Sequence, residues 1–198
     1  MEILFSIIVT VIFILAYVPQ IKLLKDYKRL GKTPTGVSLS FWVSLTIALF
    51  ITFSNFVFTN SSLLVIVPQF INTLIASYVL GAVMAAKIKD INLLHFTITV
   101  LTVALVILLS IILIDFTQIL ASALIIYAYL SQIFSIAVKR NVDGLSIKLF
   151  FFIALALSLM IANIVLTGSY SMAIYTETFN LLLILIIIVL IPIHRESK

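Results

Sequence analysis

The chain of 198 residues is 64% hydrophobic and 10% charged, with a mean hydropathy of +1.35, against about 45–50% apolar and about 25% charged residues in soluble domains. A water-soluble globule of this length leaves too much surface in water to hide so many apolar side chains, so intrinsic disorder, a nucleic-acid-binding domain and a soluble enzyme are excluded and an integral membrane protein is indicated. The net charge of +5 reads as a topology signal, and the absence of cysteine excludes disulfides, thiolate metal sites and cysteine nucleophiles.

A bilayer core needs about 20 apolar residues of helix. Seven such stretches follow one another, at 4–25, 37–58, 62–86, 91–113, 117–138, 145–166 and 170–191. The fourth and fifth are divided only by Asp115-Phe116-Thr117-Gln118. The first lacks the basic n-region and small-residue cleavage site of a signal peptide, and is read as a mature helix. Basic residues enrich loops that stay in the cytoplasm. Lys22, Lys25, Lys28, Arg29 and Lys32 follow span one, Lys87 and Lys89 follow span three, and Lys139, Arg140 and Lys148 flank the turn after span five. With Arg195 and Lys198, all twelve Lys and Arg fall on one side, while the alternate connections carry none. The expected orientation is N-terminus outside and C-terminus in the cytoplasm; the alternative for the run at 22–32 is a patch for anionic ligands.

An internal repeat is present. Ala16-Tyr17-Val18-Pro19-Gln20-Ile21 returns as Ala128-Tyr129-Leu130-Ser131-Gln132-Ile133, an offset of 112, and Gly36-Val37-Ser38 returns as Gly144-Leu145-Ser146, an offset of 108. Asn55 then matches Asn163, and Asn72 matches Asn180, at the same 108. Residues 1–86 and 115–198 are thus two three-helix copies, and 87–114 is a linker whose single span keeps the copies parallel.

The Pro19-Gln20 pair, its basic loop and Gly36-Val37-Ser38, with the partner set Ser131-Gln132 and Asp143-Gly144-Leu145-Ser146, resemble the PQ-loop motif. With the 3+1+3 layout, the chain resembles the SWEET and PQ-loop superfamily of transporters over essentially its whole length. The resemblance implies an all-α, seven-helix integral membrane fold of two parallel three-helix repeats joined by a linker helix, with a substrate cavity between the repeats. It implies passive transport of small sugars in the SWEET branch. Other branches export amino acids with protons or retrieve escaped proteins in the secretory pathway.

Polar side chains inside a span are costly and face the bundle interior or a wet cavity. Asn72 lies about 15 Å into span three, near mid-membrane, and Asn180 lies at the same depth in span seven. An amide offers donor and acceptor without charge, which suits sugar hydroxyls, and the pair matches the asparagines SWEETs place on the third helix of each repeat. The competing reading is a pair of helix-bridging amides worth about 1 kcal/mol each. Asn55 and Asn163, at the outer ends of spans two and six, either line the external pathway or cap helix ends. Phe56 is the nearest match to the aromatic that SWEETs present from the second helix. Trp42 is expected as an interfacial anchor.

Pro19 and Pro68 kink the first repeat. Their partners Ser131 and Thr176 do not, so half of the SWEET hinge set is present. Gln20 and Gln132 are expected at the cytoplasmic gate. Tyr17 and Tyr129 either close that gate or form an aromatic belt. Glu177 stands three residues before Asn180, on the same helical face, where its repeat mate is the neutral Gln69. A carboxyl there suits proton loading and release, or a cationic substrate, or simply a wet vestibule. Enzyme motifs, a metal site and a cofactor site are not expected: His95 and His194 are far apart and no glycine-rich phosphate loop occurs. The expectation is a facilitative alternating-access carrier of a small neutral polar substrate, sugar first, in a prokaryotic cytoplasmic membrane. It has the lipid bilayer and no nucleic acid as partner, and is functional as a monomer or as an oligomer. The alternative is a proton-coupled carrier of an amino acid or other metabolite through Glu177.

Overall fold

A computed structural model describes residues 2–59, 61, 63–87, 102, 104–105, 107–109, 112–166 and 172–196. Among these residues the fold is all-helical: α1 (Glu2–Arg29), α2 (Leu39–Phe58), α3 (Leu63–Lys87), α4 (Ile114–Lys139), α5 (Ile147–Leu166) and α6 (Met172–Glu196). Five helices are long and apolar enough to cross a membrane: Leu4–Arg29, Leu39–Phe58, Val65–Lys87, Ile114–Lys139 and Glu177–Arg195. Ile147–Ala162 is a shorter apolar helix. The predicted fourth span, and the linker unit 87–114 built on it, lie outside the described residues apart from scattered positions.

Three boundaries differ from the sequence reading by three residues or more, the first being the end of α6, which runs on to Glu196. α1 runs on to Arg29, ending with Lys28 and Arg29 in its last turn, where cations complement the negative end of the helix dipole. α4 begins at Ile114, so Asp115 sits in its first turn. A carboxylate is favoured there by the same dipole, and the residues read as a polar break are part of the helix.

The burial pattern puts large apolar side chains on the outside of the molecule as well as in its core. Ile7, Val11, Leu15 and Val18 of α1, and Ile186, Val189 and Ile193 of α6, are exposed, while Gln20, Asn55, Asn72, Thr117, Gln132 and Asn180 are buried. Apolar outer faces with paired polar groups inside are what a lipid solvent demands.

Neighbour relations repeat along the chain. α3 packs between α1 and α2, and α6 packs between α5 and α4. Across the molecule α1 touches α5 and α2 touches α4. The loop before α2 and the loop before α5 meet at one end of the bundle, where the Gly36 N–H donates to the Asp143 carbonyl at 3.0 Å and the Asn141 amide donates to Thr35 Oγ1 at 2.7 Å. The C-terminal ends of α1 and α4 therefore lie at the same end.

Glycine is required where these loops cross. A Cβ on Gly36 would stand 2.6 Å from the Asn141 carbonyl oxygen, the Asp143 nitrogen and the Val142 carbonyl carbon, all backbone atoms. Gly144 has φ +85°, and its Cβ would collide with Pro34. Gly81, in α3, has nothing within 4 Å of the same construction. Gly36→Ala is therefore expected to lower stability by roughly 1–3 kcal/mol through overpacking, whereas Gly81→Ala should be neutral or stabilise by up to about 1 kcal/mol. Thermal unfolding of the two detergent-solubilised variants checks this, and equal melting temperatures would contradict the close crossing.

Candidate functional site

Gln20 and Gln132, in the last third of α1 and α4, are fully buried. Each primary amide carries donors on nitrogen and an acceptor oxygen, and each uses both on the loop of the opposite half. Gln20 Nε2 donates to the Gly144 carbonyl at 2.7 Å, and the Ser146 N–H donates to Gln20 Oε1 at 2.9 Å. Gln132 Nε2 donates to the Gly36 carbonyl at 3.0 Å, and the Ser38 N–H donates to Gln132 Oε1 at 2.9 Å. The two motifs that recur in the sequence are thus bonded crosswise. One amide satisfies a carbonyl and the N–H two residues on, as a bridging strand would. The Ser38 hydroxyl, which accepts from the Phe41 N–H at 3.2 Å to cap α2, also lies 2.7 Å from the Ser131 hydroxyl.

One turn deeper the same helices carry an aromatic plug. Phe41 stands 5.0 Å from Trp42 edge-on, 5.6 Å from Tyr129 and 6.0 Å from Phe150, and Tyr17 stands 6.3 Å from Trp42. All five rings are buried. Tyr17 and Tyr129 therefore do not form an interfacial belt. Trp42, expected as an interfacial anchor, is a core residue at 0% exposure. Its place near a helix start gave the wrong environment because the ring packs inward, between Tyr17 of α1 and Phe41.

Beyond the plug lie the repeat asparagines. Tyr17 Oη donates to Asn72 Oδ1 at 2.8 Å, joining α1 to α3. Asn180 Nδ2 donates to Glu177 Oε2 at 3.3 Å within α6. Two buried polar atoms here have no hydrogen-bond partner, Asn180 Oδ1 and Trp42 Nε1. Such atoms cost about 1–3 kcal/mol each when left unmet. The halves differ at matching positions: Gln69 Nε2 donates to the Leu49 carbonyl of α2 at 3.3 Å, which an ionised carboxylate at Glu177 cannot do, having no N–H.

Asn55 is occupied elsewhere. Its Nδ2 donates to Gln118 Oε1 at 3.0 Å and its Oδ1 accepts from Thr117 Oγ1 at 3.0 Å, tying the C-terminal end of α2 to the start of α4. Sequence reads Thr117 and Gln118 only as part of the polar break before span five; their bonds to Asn55 are a contact 62 and 63 residues long in sequence. Phe56 is half-buried and Pro19 and Pro68 lie inside α1 and α3. The side chain of Asn163 lies outside the described residues. No group of three or more His, Cys, Asp or Glu that could hold a metal occurs among the described residues.

Gln20→Leu and Gln132→Leu each unpair two backbone groups and are expected to cost roughly 2–4 kcal/mol. Melting temperatures should fall by similar amounts in both variants. A fall in only one of them would refute the reciprocity. Set against known proteins, the chain matches no family model, no curated protein and no solved structure.

Proposed function

We propose that the protein is a seven-helix carrier of the SWEET and PQ-loop kind, a facilitative alternating-access transporter of small neutral polar solutes, sugars first. The observation that carries this reading is the crosswise bonding of Gln20 and Gln132 to the Gly-x-Ser loops of opposite halves. Two halves that hold each other through the same residues in exchanged roles are what a rocking carrier needs at a gate that closes as a unit.

In this reading the clamps and the aromatic plug form the cytoplasmic gate, and Pro19 and Pro68 bend. Asn72 and Asn180 take the substrate. A sugar hydroxyl would donate to the unmet Asn180 Oδ1, and others would replace the Tyr17 hydroxyl on Asn72, so binding exchanges existing bonds for new ones and needs no charge. Asn55, Asn163 and Phe56 belong to the external half. The positive end of the bundle, with Lys32, Lys139, Arg140 and Lys148, faces the cytoplasm, which puts the N-terminus outside a cytoplasmic membrane. One chain contains both halves and works as a monomer.

A second reading is favoured by one contact, the Glu177–Asn180 bond. A carboxyl bonded to the substrate amide would couple solute binding to proton binding, giving a proton-coupled carrier of an amino acid or another metabolite.

Counterflow of labelled glucose and sucrose in proteoliposomes, with and without an imposed pH gradient, decides between them. Sugar uniport predicts exchange that ignores the gradient, falls at least tenfold in Asn72→Ala and Asn180→Ala, and persists in Glu177→Gln. Coupling predicts gradient-driven uptake that Glu177→Gln abolishes. Absence of exchange for every sugar tested would reject the sugar reading.

A further inference from the structure

Beside Pro19, α1 and α5 leave a gap between them that opens to the outside of the bundle. The gap is a groove of about 550 Å³ walled by Leu15, Val18, Pro19, Phe151 and Phe152. Lys148, in the first turn of α5, stands at its edge, at the end of the bundle where the two loops cross. Leu15, Val18 and Phe151 are exposed, so the trough opens outward.

Three observations say what fills it. The walls are hydrocarbon, and in a chain with helices of membrane-crossing length an outward apolar trough contacts acyl chains. Lys148 is exposed and takes part in no ion pair among the described residues, where Asp26–Arg29 is the pair formed. The corresponding positions of the other half are Ser40 for Lys148 and Ser131 for Pro19, so the equivalent face there has neither the cation nor the proline. A hydrocarbon trough with one ammonium at its interfacial end is complementary to a lipid with one negative charge at its head.

We propose that this groove binds one anionic phospholipid, its acyl chain lying against Leu15, Val18 and Phe151 and its phosphate on the Lys148 ammonium. The proposal rests on the chain spanning a membrane and not on what it carries. The lipid packs against the Pro19 kink, so occupancy of the groove bears directly on how α1 bends.

Native mass spectrometry of the purified chain, equilibrated with phosphatidylglycerol and phosphatidylcholine in equal amounts, tests it. The expected result is one phosphatidylglycerol retained per chain in preference to phosphatidylcholine. Lys148→Gln, an exposed position, weakens that retention roughly fivefold, the effect of one cation near an anionic headgroup. Arg29→Gln, which removes an exposed cation outside the groove, leaves it unchanged. Val18→Trp fills the trough and removes the bound lipid while Lys148 stays. Equal retention of the two lipids, or undiminished phosphatidylglycerol on Lys148→Gln, overturns the proposal. So does a doubled mass that Val18→Trp converts to a single chain, which would make the occupant a second copy. Lipid mass is read directly, so loss of the sugar reading leaves this result standing.

Discussion

A backbone carbonyl or N–H removed from water must find a partner, and near the membrane no solvent supplies one. Helices meet this demand internally, but the loops that join them cannot. The two loops at the positive end of this bundle, around Gly36 and Gly144, meet it with side chains borrowed from the other half. Glutamine is the residue the task requires. Its amide presents donor and acceptor side by side at the end of a stem long enough to leave the helix, whereas a glutamate would set an anion against the Gly36 or Gly144 carbonyl. The glycines follow from the glutamines: the amides can reach the backbone on both sides only if the loops cross at contact distance, which leaves no space for a Cβ at 36 or 144.

Reciprocity gives this end of the molecule a cooperative character. Four buried hydrogen bonds tie α1 to the loop before α5 and α4 to the loop before α2. Separating the halves here strands four backbone groups and both amides together, unless water enters at the same moment. Each unmet group costs about 1–3 kcal/mol, so a partly open arrangement is worse than either a closed or a fully hydrated one. The aromatic plug beneath reinforces this, since Phe41 touches rings from α4 and α5 at once. Where the two halves do differ is deeper, at Asn72 and Asn180. One amide is bonded by a tyrosine from a neighbouring helix and the other by a carboxylate from its own. Asn180 Oδ1 is left without a partner among the described residues.

Much of this was legible in the sequence because membrane helices announce themselves by length and hydropathy, and repeats by coincident polar residues. The order of the described helices, the matched positions of Gln20 and Gln132, and the places of Asn72 and Asn180 within α3 and α6 all follow from spacing alone. What spacing cannot carry is which side chain meets which backbone. That Gln20 bonds Gly144 and not its own Gly36 depends on the way α1 packs against α5, a relation 124 residues long in sequence. Trp42 was misplaced for the same reason: beside its chain neighbour Phe41, the ring that packs on it is Tyr17 of α1, which sequence proximity does not reveal. Asp115 marks a real boundary two residues late: the chain leaves helical geometry at Leu113, and the carboxylate sits in the first turn of α4, where the helix dipole favours it.

The broken symmetry at positions 19 and 131 has a mechanical consequence. Pro19 lacks the N–H that would bond the Leu15 carbonyl, so α1 has lost one rung of its ladder at the level of the clamp. At this level α1 borders a groove whose wall it shares with α5 and α6. Ser131 keeps its N–H, so α4 lacks this kink, and its hydroxyl is engaged with Ser38 at the start of α2. One half thus has a compliant helix facing lipid and the other a continuous helix latched to its neighbour. A relative motion of the halves would place more of its bending in α1 than in α4, although Gln20 and Gln132 hold the two ends together by the same chemistry. The repeat therefore supplies the closure, and the departures from it determine which half yields.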